Sequence, residues 1–159
     1  RTLAVTAVML IVFGLILGWA EKRGTQTRQI GDLGWKDGIL LGFAQAMALV
    51  PGVSRSGGTI TAGLLLGMTR EAAARFSFLL AIPAVLMSGF YMLLFKREPM
   101  TADQWGMTLA ATVIAFLVGY AVIVWFMRLI SSKGFIVFVI YRVLLGLAIL
   151  LGLYFGFIQ

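Results

Sequence analysis

The chain has 159 residues, of which 61% are hydrophobic and 12% charged, with a mean hydropathy of +1.02 and a formal net charge of +7. A charged share far below the roughly 25% of ordinary globular domains excludes a water-soluble domain and points to an integral membrane protein. Cysteine and histidine are absent, which excludes a disulfide framework, thiolate metal sites and the commonest general base, and leaves six carboxylates for any acid-base work. The basic residues fall in short segments between apolar spans, where the positive-inside rule accounts for them without a nucleic-acid partner. Arg1 is not an initiator Met and no signal pattern precedes it, so the chain reads as a piece of something longer.

Leu3 to Ala20 form an apolar run of the length a bilayer demands, with Gly14 and Gly18 at the spacing that lets another helix approach closely. Glu21 to Asp37 is polar and carries Lys22, Arg23, Arg28 and Lys36, the pattern of a cytoplasmic loop. Gly38 to Val50 is apolar but about 20 Å long as a helix, too short to span, and Thr59 to Met68 is shorter still. Joined by the polar stretch Pro51 to Thr59, residues 38–68 read as a re-entrant helix-loop-helix hairpin with its tip near mid-membrane. Phe76 to Phe95 is a full span with Pro83 predicted to kink it, and Lys96 to Gln104 is a short polar loop. Trp105 to Met127 spans again, with Ala111, Ala115 and Gly119 suited to close packing; after a basic turn, Phe135 to Ile158 is the last span, ending in Gly152 and Gly156 at the same spacing. Trp19, Trp35 and Trp105 sit near span ends as interface anchors, and Arg142, two turns into the last span, is expected to snorkel to the cytoplasmic interface in preference to the alternative of facing the bundle.

Charge supports this layout. With the hairpin re-entrant, segments 21–37, 69–75 and 128–134 share one side and hold eight Lys and Arg, against three opposite; a hairpin crossing once would leave six against five. The fold class is therefore an all-α polytopic membrane protein of about four transmembrane helices plus one re-entrant hairpin, in a single membrane domain over 1–159.

The chemistry concentrates in PGVSRSGGT, residues 51–59. Pro51 stops the first short helix, and Gly52, Gly57 and Gly58 permit unusual backbone angles and leave room for a ligand to reach the main chain. Thr59 falls at the N-cap of the second helix, whose free amides and positive dipole end then face the loop as an anion site. Arg55 adds a planar fork that matches phosphate oxygens in a bidentate way. Ser54 and Ser56 offer hydroxyls, as phosphate-oxygen donors or as a nucleophile, although a serine nucleophile needs a neighbouring base. Gln45 can present an amide to the same oxygens or simply bond within the core. The glycine spacing and missing lysine exclude a Walker P-loop. A Gly-rich turn with no task would leave an arginine at mid-membrane unexplained, since it costs roughly 2.5–3.5 kcal/mol there.

PGVSRSGGT, preceded by LGFAQAMALV and followed by ITAGLLLGMTREAAARFSFLLAIP, resembles the second signature of the undecaprenyl-diphosphate phosphatase family, the BacA-type bacterial enzymes of lipid-carrier recycling. The resemblance covers nearly the whole chain. It implies an integral membrane hydrolase of a phosphoric anhydride, converting undecaprenyl diphosphate to undecaprenyl phosphate and inorganic phosphate in cell-wall synthesis, and so bacitracin resistance. It implies the bacterial inner membrane, a site open to the periplasmic face, a divalent cation (Mg or Ca), and an inverted repeat of which this chain is one half. The family's other half carries two glutamates and a histidine where this chain has Gln45, Leu49 and Gly58. The resemblance thus implies the C-terminal portion of the enzyme, inactive alone, with no metal ligand of its own. Carboxylates, histidine and metal ligands are expected from the missing N-terminal half, and a homodimer is left open. The implied catalytic set is Arg55, Ser54, Ser56 and Thr59, with Gly52, Gly57, Gly58 and Gln45 binding the substrate phosphate. The alternative is a transporter or flippase that uses the loop to bind an anionic or phospholipid headgroup.

Overall fold

In the computed structural model, which describes residues 2–95 and 101–156, the described residues form six α-helices joined by turns and no sheet. These are α1 (Thr2–Arg23), α2 (Trp35–Ala46), α3 (Arg55–Leu65), α4 (Arg70–Phe95), α5 (Ala102–Lys133) and α6 (Ile136–Tyr154). Four stretches, Leu3–Arg23, Arg70–Phe95, Ala102–Lys133 and Ile136–Tyr154, are long and apolar enough to cross a membrane. The chain is an all-α, multi-pass membrane protein. Lys96, Arg97 and Glu98 of the expected short loop, and Ile158 at the expected end of the last span, lie outside the described residues.

α3 lies at the centre, packed on α1, α2 and α4. Leu17 and Ala20 of α1, Leu41 of α2, Ile60 and Leu64 of α3, and Ala72 to Ala74 of α4 form one buried cluster with Met68, Ile130, Phe135 and Val139. The expected small-residue face of α1 is real. Methyl groups placed on Gly14 and Gly18 would lie 3.2 Å from the Arg142 Cβ and 3.4 Å from a Val139 methyl, so α1 and α6 meet with almost no side chain between them. Gly146 of α6 is tighter still: a methyl there would sit 2.6 Å from Ile11 and 2.8 Å from the Ala7 carbonyl oxygen. The other expected packing stripes show open positions. Ala111 and Ala115 are exposed, Gly119 meets nothing within 4 Å, and Gly156 falls beyond the end of α6 with nothing within 4 Å. α4 runs through Pro83 without a break.

The two short helices form a hairpin whose ends lie together, with boundaries shifted from those expected. α2 begins at Trp35 rather than Gly38, because the Asp37 carboxylate accepts the Gly34 amide at 2.9 Å and closes the first turn. It gives way to a 3₁₀ turn, Met47–Leu49, before Pro51. At the far end, Gly67 takes φ +86°, and its carbonyl accepts the amides of Thr27 and Arg28 while the Thr69 amide donates to the Arg28 carbonyl. Arg28 ties both ends at once, donating to Asp37 at 2.6 Å and to the Leu66 carbonyl at 2.9 Å. The tip reaches the other end of α1, where a side chain on Gly52 would collide with the Thr6 backbone and Met9.

The three segments counted as sharing one side are brought to one end of the bundle. Glu21, in the last turn of α1 rather than in a loop, accepts from Arg70 Nε at 2.7 Å and from the Phe135 amide at 2.9 Å, and Ser131 donates to Glu71 at 2.7 Å. A larger apolar cavity of about 640 Å³ opens between α4 and α5, lined by Phe78, Leu79, Ile82, Ile123 and Met127, with Arg75 as its one cation.

Gly146→Leu is expected to overpack the α1–α6 contact and lower stability by about 1–3 kcal/mol, read as a lower melting temperature in detergent, while Gly31→Ala, with nothing within 4 Å, leaves it unchanged. The hairpin base should also respond to acid. The hydrogen bond from Arg28, then that from the Gly34 amide, hold the Asp37 carboxyl below its ordinary value. A carboxylate lowered on folding contributes above its unfolded pKa and is lost as pH falls through the folded one. Protection of the Thr27, Arg28 and Thr69 amides, taken relative to the intrinsic exchange rate at each pH, should therefore fall below about pH 4, and in Asp37→Asn it should be low at every pH.

Candidate phosphate site

The loop at the hairpin tip differs from its expected form in where the helix starts. α3 begins at Arg55, four residues before Thr59, and its N-cap is Ser54, whose Oγ accepts the Gly57 amide at 3.3 Å. Gly57 and Gly58 thus stand in the first turn of the helix rather than in a loop. Their value is close approach: a side chain on Gly57 would collide with Arg142 Nη1, and one on Gly58 would lie 2.9 Å from the Ala44 carbonyl oxygen of α2. The freedom to take positive φ is used at Gly52 (φ +96°), and also at Ser54 (φ +69°), where a non-glycine residue held in such a region stores on the order of 1–3 kcal/mol.

Ser54, Arg55 and Ser56 form one exposed group. The serine hydroxyls are 3.4 Å apart, and the Arg55 guanidinium makes no hydrogen bond or ion pair among the described residues. The amides of Arg55 and Ser56 likewise donate to no described residue, as expected of the first turn of a helix. Two free amides, two hydroxyls, a helix N-terminus and an unpaired guanidinium share one small surface, an arrangement complementary to a phosphate group. Beneath them lies a cavity of about 150 Å³ with Ser54, Ser56 and Gly57 on one wall and Leu17, Ile60 and Phe126 among its apolar lining.

Thr59 is not an N-cap. It is buried, its hydroxyl lies 3.0 Å from the Arg55 carbonyl oxygen, 3.1 Å from that of Ser56 and 2.7 Å from the Ser77 hydroxyl of α4, so it braces the turn from inside. Gly58 is also buried, against α2. Gln45 is half-buried, its Oε1 has no partner among the described residues, and no hydrogen bond joins it to the loop.

Arg142 does not snorkel. Only 8% exposed, it reaches from α6 past Gly14 to the loop, where Nη2 donates to the carbonyl oxygens of Gly52 at 2.8 Å and Val53 at 2.9 Å. The contact α1 allows with α6 keeps this side chain in the bundle, where backbone carbonyls substitute for water. Ser77 and Arg142 are the residues that the sequence reading missed or misplaced. Ser77 carried no signal, whereas Arg142 was visible as the one charge in the last apolar span.

No described group of three or more acidic residues could hold a metal ion. Asp32 accepts the Gln29 amide, Asp37 is paired with Arg28, Glu21 with Arg70, and Glu71 accepts from Ser131; Asp103 lies in the first turn of α5. None of these touches the loop, so the described residues do not fit a divalent cation beside Arg55.

Residues 1–148 match the family described as bacitracin resistance protein BacA. The chain is 61% identical to undecaprenyl-diphosphatase 2 of Agrobacterium fabrum, over 94% of this chain and 54% of that protein. It is 57% identical to the undecaprenyl-diphosphatase of Pseudarthrobacter chlorophenolicus, over 100% of this chain and 58% of that protein. To that of Paenarthrobacter aurescens it is 58% identical, over 96% of this chain and 57% of that protein. The chain spans about half the length of the curated relatives it matches.

The Thr59–Ser77 contact gives a direct check on the brace. Thr59→Val leaves the buried Ser77 hydroxyl unpaired and should cost about 1–3 kcal/mol, and adding Ser77→Ala should recover part of that loss in a double-mutant melt.

Proposed function

The chain belongs to the bacitracin resistance protein BacA family, and from that premise we propose that it is the phosphate-gripping, C-terminal part of a membrane phosphatase that hydrolyses undecaprenyl diphosphate to undecaprenyl phosphate and inorganic phosphate. The observation that carries the reading is the exposed Ser54–Arg55–Ser56 group on the free amides of α3, with Arg55 lacking any counter-charge among the described residues. In this reading Arg55 clamps the phosphoryl group through its fork, and the amides of Arg55 and Ser56 with the Ser54 and Ser56 hydroxyls take further oxygens. Gly52 shapes the turn and Gly57 keeps the floor open. Thr59 and Gly58 serve from behind, the first by bracing and the second by packing. Gln45, with its unpartnered Oε1, contributes only if the hairpin shifts. Phosphoryl transfer asks mainly for positioning and charge stabilisation, and such a cradle supplies both. The apolar cavity below suits the first carbons of the lipid tail.

Activation of water is assigned elsewhere. With no carboxylate at the loop, a base and the ligands of the divalent cation implied by the resemblance come, in this reading, from the N-terminal part of the longer protein, and this chain alone is inactive. The cytoplasmic side is the end where the basic segments gather. Gly52 lies against Thr6 and Met9 of α1, about 20–25 Å along that helix from Arg23, which supports a reading in which residues 38–68 re-enter the membrane and the site opens toward the periplasmic face of the inner membrane.

The test uses the full native protein that contains this chain, purified in detergent with undecaprenyl diphosphate and Mg²⁺. Phosphate should be released, and Arg55→Lys should lose most of that activity because an ammonium cannot reproduce the bidentate fork. Normal hydrolysis by Arg55→Lys would remove the clamp assignment. Movement of the lipid across liposomes without phosphate release would favour a transporter instead.

A further inference from the structure

Arg142 is the only charged residue between Phe135 and Tyr154, and it is buried. Its Nη2 bonds two neutral carbonyls, its Nη1 lies against Gly57 in the first turn of α3, and its Nε has no partner among the described residues. No described carboxylate is bonded to it: those of Glu21, Asp32, Asp37 and Glu71 are engaged at the opposite end of the bundle, and Asp103, in the first turn of α5, makes no hydrogen bond or ion pair to it. A neutral donor such as glutamine could cross-link a loop as well. A full buried charge without a counter-ion is expensive to maintain, so its presence asks for an anion.

The geometry of the contact says how it acts. In a planar trans peptide the carbonyl and the amide of one unit point opposite ways. Fixing the Val53 carbonyl on Arg142 therefore turns the Ser54 amide away from the guanidinium, and that amide donates to no described residue. The same bonds draw the carbonyl dipoles of Gly52 and Val53, which would repel an anion, toward the cation. They also support Ser54 at its positive φ, from which its hydroxyl caps α3.

We propose that Arg142 is the positioning residue of the phosphate loop: it holds the Gly52 and Val53 carbonyls back, presents the Ser54, Arg55 and Ser56 amides to a phosphate, and has its charge balanced only when that anion binds. This deepens the phosphatase reading and rests on it for the identity of the ligand. The guanidinium acts through both the backbone and its charge, so Arg142→Lys would keep the charge on a shorter side chain with less reach to the loop, and Arg142→Gln would keep a donor and lose the charge.

Arg142→Gln, Arg142→Lys and Arg142→Ala in the full native protein test this, with inorganic pyrophosphate as the probe, its binding followed calorimetrically and its inhibition of hydrolysis followed by phosphate release. Arg142→Gln should melt at or above the wild-type temperature, since a buried unpaired charge is gone, yet bind pyrophosphate roughly 10- to 100-fold more weakly and lose activity mainly in kcat. Arg142→Lys should fall between. Millimolar guanidinium, but not sodium, should restore part of the activity of Arg142→Ala. A folded Arg142→Gln that binds pyrophosphate like wild type overturns the proposal, as does a lowered melting temperature with unchanged pyrophosphate binding. If Arg142→Ala does not fold, the Gln and Lys variants decide by the same criteria. Arg142-dependent pyrophosphate binding by a wild type that releases no phosphate overturns the phosphatase reading and leaves the anion site standing.

Discussion

A guanidinium buried beside two backbone carbonyls is tolerable in a membrane protein only if the surrounding elements are cut to admit it, and α1, α3 and α6 are. The Arg142 side chain leaves α6 at the point where Gly14 of α1 offers no side chain, passes to the hairpin tip, and ends where Gly57 leaves room for Nη1. Gly52 and Val53 then supply the acceptors. The close α1–α6 contact, the reach of the hairpin and the shape of the loop are therefore one arrangement. A larger residue at Gly14 or Gly57 would act on the same cation as a shorter one at Arg142, because core packing transmits such changes rather than absorbing them.

The charges divide the molecule into two ends with different tasks. At one end Glu21 joins Arg70 to the start of α6, and Asp37 joins Arg28 to both ends of the hairpin, so anions there neutralise cations and fix the chain. At the other end Arg55 and Arg142 have no carboxylate bonded to them among the described residues, and Asp103, in the first turn of α5, makes no hydrogen bond or ion pair to either. The tip therefore carries two cations that no described carboxylate pairs, which favours an anion there. The same distribution leaves no base at the tip.

Much of this was legible in the sequence because it depends on length and charge. The four long apolar runs, the short pair between them and the Lys and Arg asymmetry follow from bilayer thickness and loop composition, and the basic segments do meet at one end of the bundle. Gly14 and Gly18 were readable as a candidate contact face because two glycines four apart leave a gap on one side of a helix. The α3 boundary was not, since Gly57 and Gly58 argue against helix by propensity, each at roughly 0.8–1.0 kcal/mol relative to alanine, and only the Ser54 cap and tertiary packing reverse that. Arg142 was misplaced for a related reason: from one sequence, an arginine two turns from an interface is indistinguishable from one aimed inward. Its partners are backbone carbonyls, which every residue has and no pattern reveals.

The penalty carried by Gly57 and Gly58 also says what keeps the loop in its working shape. In isolation a helix starting RSGG would fray, so the free amides at its N-terminus would not point in one direction. Here Ala44 of α2 closes on Gly58, Arg142 of α6 closes on Gly57, and the Thr59–Ser77 pair ties the turn to α4. Three separate elements hold a segment with little intrinsic helicity, while Arg55 on its outer face is left unattached. The backbone donors are fixed before any ligand arrives, and the long side chain is free to close on it. That combination favours an anion whose charge is shared among several oxygens, because fixed amides select its position and a forked cation adapts to its orientation.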